Sequence, residues 1–141
     1  MQPGRAQGLA PLVLVCDDTE AIRRLVRINL ELGGFSVEEA TDGHEAMARL
    51  IDPTLDPPAV IVLDSQMGPY DGWWTIAAIR SHPRLDSVPV LLLTAAVMSH
   101  TAPEASDAGF DAFLSKPFDP DDLVDSVSRL AGGGRAHRTA Q

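Results

Sequence analysis

One thiol, that of Cys16, is all the cysteine this sequence contains, and a lone cysteine excludes an internal disulfide. It lies inside an apolar run, which marks it as a small buried residue rather than a redox group. Long hydrophobic runs are missing too: no stretch approaches the roughly 20 apolar residues that a membrane span requires. Residues 1–10 carry Pro3, Gly4 and Gly8 but no apolar core of the kind a secretion signal needs, so a cytoplasmic location is expected. Positive charge is scarce. Eleven lysines and arginines face twenty aspartates and glutamates, a net charge of −9. Arg135 and Arg138 lie in a tail without acidic residues, so the body of the chain is more acidic still. Such a body repels phosphate backbones, which argues against direct nucleic-acid binding. His44, His82, His100 and His137 lack the spacing of a zinc site and are expected on the surface. No internal repeat is present.

What is there describes one soluble globular domain: 141 residues, 45% apolar and 22% charged. Residues 1–10 and 131–141 read as flexible ends, the latter opening on Gly132-Gly133-Gly134, a helix stop. Within 11–130, apolar runs alternate with helical patterns. Leu12–Cys16, Ala59–Leu63 and Val90–Leu93 are short and apolar throughout, as strands buried on both faces of a parallel sheet must be. Phe35–Ala40 alternates like an edge strand, and Asp111–Ser115 supplies a last short one. Helical spacing predicts helices over Glu20–Leu32, from Thr41-Asp42-Gly43 to about Ile51, from Gly72 to about Ser81, around His100–Ala108 with Pro103 in the first turn, and after Asp119-Pro120. Alternating strands and helices predict a doubly wound α/β domain, whose site lies beyond the carboxyl ends of the central strands.

The residues at those ends are Asp17-Asp18, Asp64, Thr94 and Ser115-Lys116. Three carboxylates in one crevice repel one another unless a cation bridges them, and oxygen-only ligands favour Mg²⁺. A carboxylate is also a nucleophile for phosphorus. Lys116 can pair with a phosphoryl group and Thr94 can hydrogen-bond to it. Each residue has a plainer reading alone: a helix N-cap for Asp17-Asp18, a strand end for Thr94, a solvated lysine for Lys116. Their coincidence at strand ends of one crevice is what points to phosphoryl transfer.

In this order the motifs resemble the receiver domain of bacterial response regulators, of the chemotaxis-regulator type, over about residues 11–130. Val13–Glu20 is similar to the family's first strand and acidic pair, and Val60–Met67 to the strand carrying the phosphorylated aspartate. Asp71-Gly72, Leu91–Ala95 and Lys116-Pro117-Phe118 match the segments that follow. The resemblance implies a flavodoxin-like (βα)5 sandwich with a five-stranded parallel sheet in the order 2-1-3-4-5. It implies Asp64 as phospho-acceptor and Thr94 as switch hydroxyl; Lys116, the phosphate partner, is expected at the rim of the site and so to act on the phosphorylated state more than on the fold. It implies Mg²⁺ on Asp17 (mainly through water), Asp18, Asp64 and the Gln66 backbone carbonyl. Phe113 matches the aromatic that changes rotamer, and the Lys116–Pro117 bond is often cis in the family. The protein would not be an enzyme beyond catalysing its own phosphorylation and dephosphorylation. Its partners would be a sensor histidine kinase or a histidine phosphotransfer protein upstream, and a downstream target or output domain beyond this chain, with phosphorylation-dependent homodimerisation as one output.

There are departures and competitors. The family usually has Met-Pro after the acceptor strand, whereas Met67 is followed by Gly68 and then Pro69. Trp73-Trp74 is unusual after Gly72; one tryptophan is expected to be packed and the other partly exposed. A flavin binder of the same fold needs a glycine- and hydroxyl-rich loop where Asp17-Asp18 stands, and is rejected. An aspartate-nucleophile phosphohydrolase needs an acid two residues past Asp64, where Gln66 stands. The remaining alternative is a degenerate receiver acting as a phosphorylation-independent binding module, against which the intact acidic, hydroxyl and lysine set speaks.

Overall fold

The computed structural model describes residues 10–95 and 101–133. The expectations for residues 1–9, for His100 and for His137 fall outside them. Five strands, β1 (Leu12–Cys16), β2 (Ser36–Ala40), β3 (Val60–Asp64), β4 (Val90–Thr94) and β5 (Ala112–Ser115), alternate with five helices. The helices are α1 (Glu20–Leu32), α2 (Gly43–Leu50), α3 (Gly72–Arg80), α4 (Thr101–Ala108) and α5 (Pro120–Gly133). All strands are parallel, in the order β2-β1-β3-β4-β5. This is the flavodoxin-like order that the resemblance implied.

The continuous apolar runs occupy the middle of the sheet because both of their faces are covered. Leu14, Cys16, Ile61, Leu63, Val90 and Leu92 point into a core shared with α2, α3 and α4. Their neighbours Val13, Val15, Val60, Val62, Leu91 and Leu93 point into a second core against α1 and α5. β2, at the edge, keeps the expected alternation only at its start, with Phe35 and Val37 buried and Ser36 exposed; it breaks at Glu39 and Ala40, which are exposed and buried respectively. Helix starts follow their caps. The Asp42 carboxylate accepts the Glu45 N–H at 2.8 Å, and Glu45 reaches back to the Thr41 N–H, a reciprocal box at the start of α2. Asp71 accepts the Trp74 N–H at 2.9 Å and Asp119 the Asp121 N–H at 2.8 Å, opening α3 and α5.

Three details depart from the sequence reading. Helix α5 continues through Gly132 to Gly133, past the stop expected after Leu130, because Leu130 and Ala131 still pack on the core and hold the last turn. A 3₁₀ turn at Pro83–Leu85 had no sequence expectation; it buries Leu85, and the Arg80 guanidinium donates to its carbonyl. Trp73 and Trp74 are both half-exposed, rather than one packed and one open. Their positions on α3 point neither at the sheet, a role taken by Ile76 and Ile79.

Candidate functional site

Strand register brings the polar strand ends together. Cys16 lies opposite Leu63, so Asp17 and Asp64, each one residue further, are neighbours across β1 and β3. Asp64 lies opposite Leu93, which sets Ser65 beside Thr94: the Ser65 N–H donates to the Leu93 carbonyl at 2.8 Å, and the Ser65 hydroxyl to Thr94 Oγ1 at 3.4 Å. Thr94 lies opposite Ser115, and the Lys116 N–H donates to the Thr94 carbonyl at 2.8 Å. Side-chain alternation therefore has little to do with the site; the ends of four adjacent parallel strands make it.

Within this crevice the carboxylates of Asp17, Asp18 and Asp64 each offer an oxygen, and the three oxygens lie within 4.8 Å of one another. Asp17 and Asp64 are buried while Asp18 is exposed, so the cluster opens to solvent on the Asp18 side. Asp17 is oriented by local bonds: its Oδ1 accepts the Thr19 N–H at 2.9 Å, and its backbone carbonyl accepts from the Arg23 guanidinium at 2.8 Å. Lys116 completes the group. Its Nζ lies 3.0 Å from Asp17 Oδ2 and 3.0 Å from Asp64 Oδ1. It was expected at the rim; the structure seats it between two buried carboxylates, with its side chain 19% exposed. Lys116 is also the chain's single lysine among eleven basic residues, a compositional signal that could have singled it out.

The electrostatics follow. Burial pushes the Asp64 carboxyl above its ordinary range and the Asp17 charge adds to this, outweighing the opposite pull of Lys116 and of the Gln66 backbone N–H. Burial alone would lower the Lys116 ammonium, but its bonds to Asp17 and Asp64 carry it above its ordinary value. Beneath the site, burial pushes the Cys16 thiol far up, with Asp42 and Asp17 reinforcing the shift, so it stays protonated. It donates to Met67 Sδ at 3.3 Å, the bland role expected of it.

The β3–α3 loop lies tight against the crevice. Its Gly68 takes a φ of +70°, a left-handed conformation that favours glycine, where the family pattern would have proline. Gly72 is held so close that a Cβ there would sit 2.5 Å from the Asp64 carbonyl oxygen. Gly43, opening α2, would put one 1.9 Å from Thr75 Oγ1, and its N–H donates to the Tyr70 carbonyl at 2.9 Å. Sequence reading used these glycines as helix starts and missed that they are packing sites. Gln66 follows Asp64 by two residues in this loop with its side chain exposed. Phe113 is half-buried against the α2–α3–α4 core. The Lys116–Pro117 bond is cis. Of the expected surface histidines, His44 is exposed and His82 half-buried.

The donor set fits a hard divalent cation: three carboxylates and no soft ligand, open on one side for water or substrate oxygen. Among the described residues no helix is long and apolar enough to cross a membrane.

The family model for the response regulator receiver domain matches residues 13–128. The DNA-binding dual master transcriptional regulator RpaA of Synechocystis is 35% identical over 120 residues, which are 85% of this chain and 48% of that protein. Among solved structures, the chemotaxis response regulator CheY4 of Vibrio cholerae superposes with a TM-score of 0.77 at 31% identity, covering 86% of this chain and 99% of its own. The Mn(2+)-bound form of response regulator Rcp1 gives a TM-score of 0.71 at 25% identity, over 87% of this chain and 93% of its own. This chain spans about half the length of curated relatives such as RpaA. Strand order, acidic crevice and matched residues agree: the chain belongs to the response regulator receiver domain family, and is a signalling module.

Proposed function

We propose that this domain accepts a phosphoryl group on Asp64 from a phosphohistidine of a sensor histidine kinase or a histidine phosphotransfer protein. The observation that carries the reading is the convergence of Asp17, Asp18 and Asp64 within 4.8 Å, with Lys116 Nζ held 3.0 Å from Asp64 Oδ1. A carboxylate oxygen of Asp64 forms the new bond to phosphorus, the phosphorus–nitrogen bond of the donor breaks, and imidazole leaves. Asp17, Asp18 and Asp64, with the Gln66 backbone carbonyl, would hold Mg²⁺, a reading supported by the donor chemistry and by the manganese in the Rcp1 structure. Bound there, the ion offsets phosphoryl charge during transfer. Lys116 already spans Asp17 and Asp64, so a phosphoryl oxygen on Asp64 meets a positioned ammonium. The Thr94 hydroxyl, one strand away and bonded to Ser65, is placed to turn toward that oxygen.

Output follows from the same geometry. Thr94 is linked through the Lys116 N–H to the strand that carries Phe113, and Phe113 packs beside the α4 side of the core. A phosphoryl group biases this coupled set through its differential affinity for two arrangements. The α4–β5–α5 face would then present a changed surface to a downstream target, to an output domain beyond this chain, or to a second copy. Localisation is read as cytoplasmic, where such kinases deliver their phosphoryl groups.

The test is intact-mass analysis after acetyl phosphate with Mg²⁺. One labile phosphoryl group is expected on the wild type, none on Asp64→Asn, and none on the wild type in EDTA. Asp18→Ala, at an exposed position, should keep the fold and lose Mg²⁺-dependent phosphorylation. A phosphoryl group persisting on Asp64→Asn would refute the assignment.

A further inference from the structure

The aromatic side chains are few, 5% of the chain, yet both tryptophans and the only tyrosine are exposed on one surface. Tyr70, Trp73 and Trp74 are 37%, 37% and 40% exposed at the start of α3 and just before it. They are not loosely scattered. Trp74 meets Tyr70 edge-on with ring centroids 4.9 Å apart, and Trp73 meets the buried Phe110 edge-on at 5.5 Å. Asp71 holds the Trp74 backbone, so the ridge is fixed by capping and packing rather than by anything outside it. A cavity of about 440 Å³ opens beside Trp73, lined also by Glu104 and Ala108 of α4. None of this serves the acidic crevice.

Carboxylates predominate around the ridge, with the exposed His44 imidazole packed on Tyr70 at a centroid distance of 5.3 Å as the basic side chain beside them. Asp42 and Asp71 cap the two helices that meet there, and Glu45 and Glu104 are exposed on either side. The arginines of α2 and α3 are paired, Arg49 with Glu38 and Arg80 with the buried Asp111 side chain. The other exposed apolar stripe, Leu25, Ile28 and Leu32 on α1, differs in this respect, because Arg24–Glu20 and Arg27–Glu31 pairs flank it with both signs. Rigid aromatic faces inside an acidic rim are complementary to a guanidinium or ammonium, which ring faces attract and carboxylates neutralise. A second copy of this chain would bring acid against acid.

We propose that the Tyr70–Trp73–Trp74 ridge is a docking face for an arginine- or lysine-bearing segment of a partner protein, separate from the phosphorylation site. Aromatic residues of this kind, exposed yet rigid, are typical anchors of protein interfaces. Glu104 and Ala108 belong to α4, part of the face that the function proposed above expects to change, so docking is tested on the unphosphorylated protein, where failure of that function leaves the result readable.

The probe is a synthetic amphipathic helix carrying leucines on one face and arginines on the other, set against a control peptide with glutamates in place of the arginines. Titration calorimetry and tryptophan emission are read together. The arginine peptide should bind with a blue shift of emission and the glutamate peptide should not. The double variant Trp73→Ala/Trp74→Ala should weaken binding about tenfold or more. Glu45→Gln/Glu104→Gln, which leaves the aromatic packing intact, should weaken it severalfold, and Ile28→Ala/Leu32→Ala on α1 should leave it unchanged. Equal binding of both peptides would overturn the proposal, as would a double tryptophan variant that binds like the wild type. So would concentration-dependent dimerisation lost in that variant, because it would identify the occupant as a second copy.

Discussion

Replacing Lys116 by alanine is the most informative perturbation of this fold. The residue's Nζ lies 3.0 Å from an oxygen of each of two buried carboxylates, Asp17 and Asp64. Its removal leaves two like charges facing one another out of water. Breaking a buried ion pair on one side costs about 3–5 kcal/mol. Three features reduce that figure here. Lys116 keeps 19% exposure, Asp17 retains the Thr19 N–H, and Asp64 retains the Gln66 N–H. A loss of about 2–3 kcal/mol is expected, which for a domain of this size is roughly 6–15 °C in Tm. Thermal unfolding followed by circular dichroism at pH 7 in EDTA measures it. The gap should narrow toward acid, because the raised Asp64 carboxyl is then neutral and no longer repels Asp17. Added Mg²⁺ should stabilise the variant more than the wild type, since the oxygens that Lys116 occupied become free ligands. A variant whose Tm in EDTA stays within about 2 °C of the wild type would refute the reasoning: the lysine's contacts would then be solvent-screened and worth only what a surface pair is worth.

Two further outcomes follow from the same environment. Because burial raises the folded-state Asp64 value above its ordinary 3.8, stability from this group is greatest below that value and is lost as pH rises through the folded one. Asp64→Asn should therefore unfold at higher temperature than the wild type at pH 7 in EDTA, and should show a flatter stability profile from there to acid. An identical pH profile for both proteins would show that burial of this carboxylate has no net cost. Gly43→Ala should lose about 1–3 kcal/mol in denaturant titration, since its Cβ meets Thr75 Oγ1 and the Tyr70 carbonyl. Gly132→Ala meets nothing and lies in the last turn of α5, so the same titration should show a gain of up to about 1 kcal/mol.

The fold was legible because its central strands are buried on both faces. Runs such as Val60–Leu63 and Leu91–Leu93 have no polar interruption, and the first residue that breaks each run marks the strand's carboxyl end. That is why Asp64 and Thr94 could be read as site residues: they stand where apolar demand stops. The caps at Asp42, Asp71 and Asp119 were equally plain, because they depend on bonds within a few residues. What the sequence withheld depends on distant partners. The seat of Lys116 between Asp17 and Asp64 is a contact across 99 and 52 positions of chain, and nothing near Lys116 announces it. The demand for glycine at Gly43 and Gly72 arises from atoms of Thr75 and Asp64 that only the folded chain brings near. The half-exposure of both tryptophans contradicts the habit of burying large rings, and only the helix phase of α3 decides it. The length of α5 was misread because glycine weakens a helix locally while packing of Leu130 and Ala131 sustains it.

The two cores on either face of the sheet have a mechanical consequence. The central strands are walls that seal one compartment from the other, and no side chain crosses a wall. Consecutive residues of β5 are shared between the compartments: Phe113 packs into the one with α2, α3 and α4, and Leu114 into the one with α1 and α5. The β5 backbone is tied at its open end to Thr94 by the Lys116 N–H. A slide or twist of this edge strand would therefore be felt in both compartments at once. An event at that edge has no need of a wire through the interior. One short strand, tied to the crevice by the Lys116 N–H, touches two separate sets of helices.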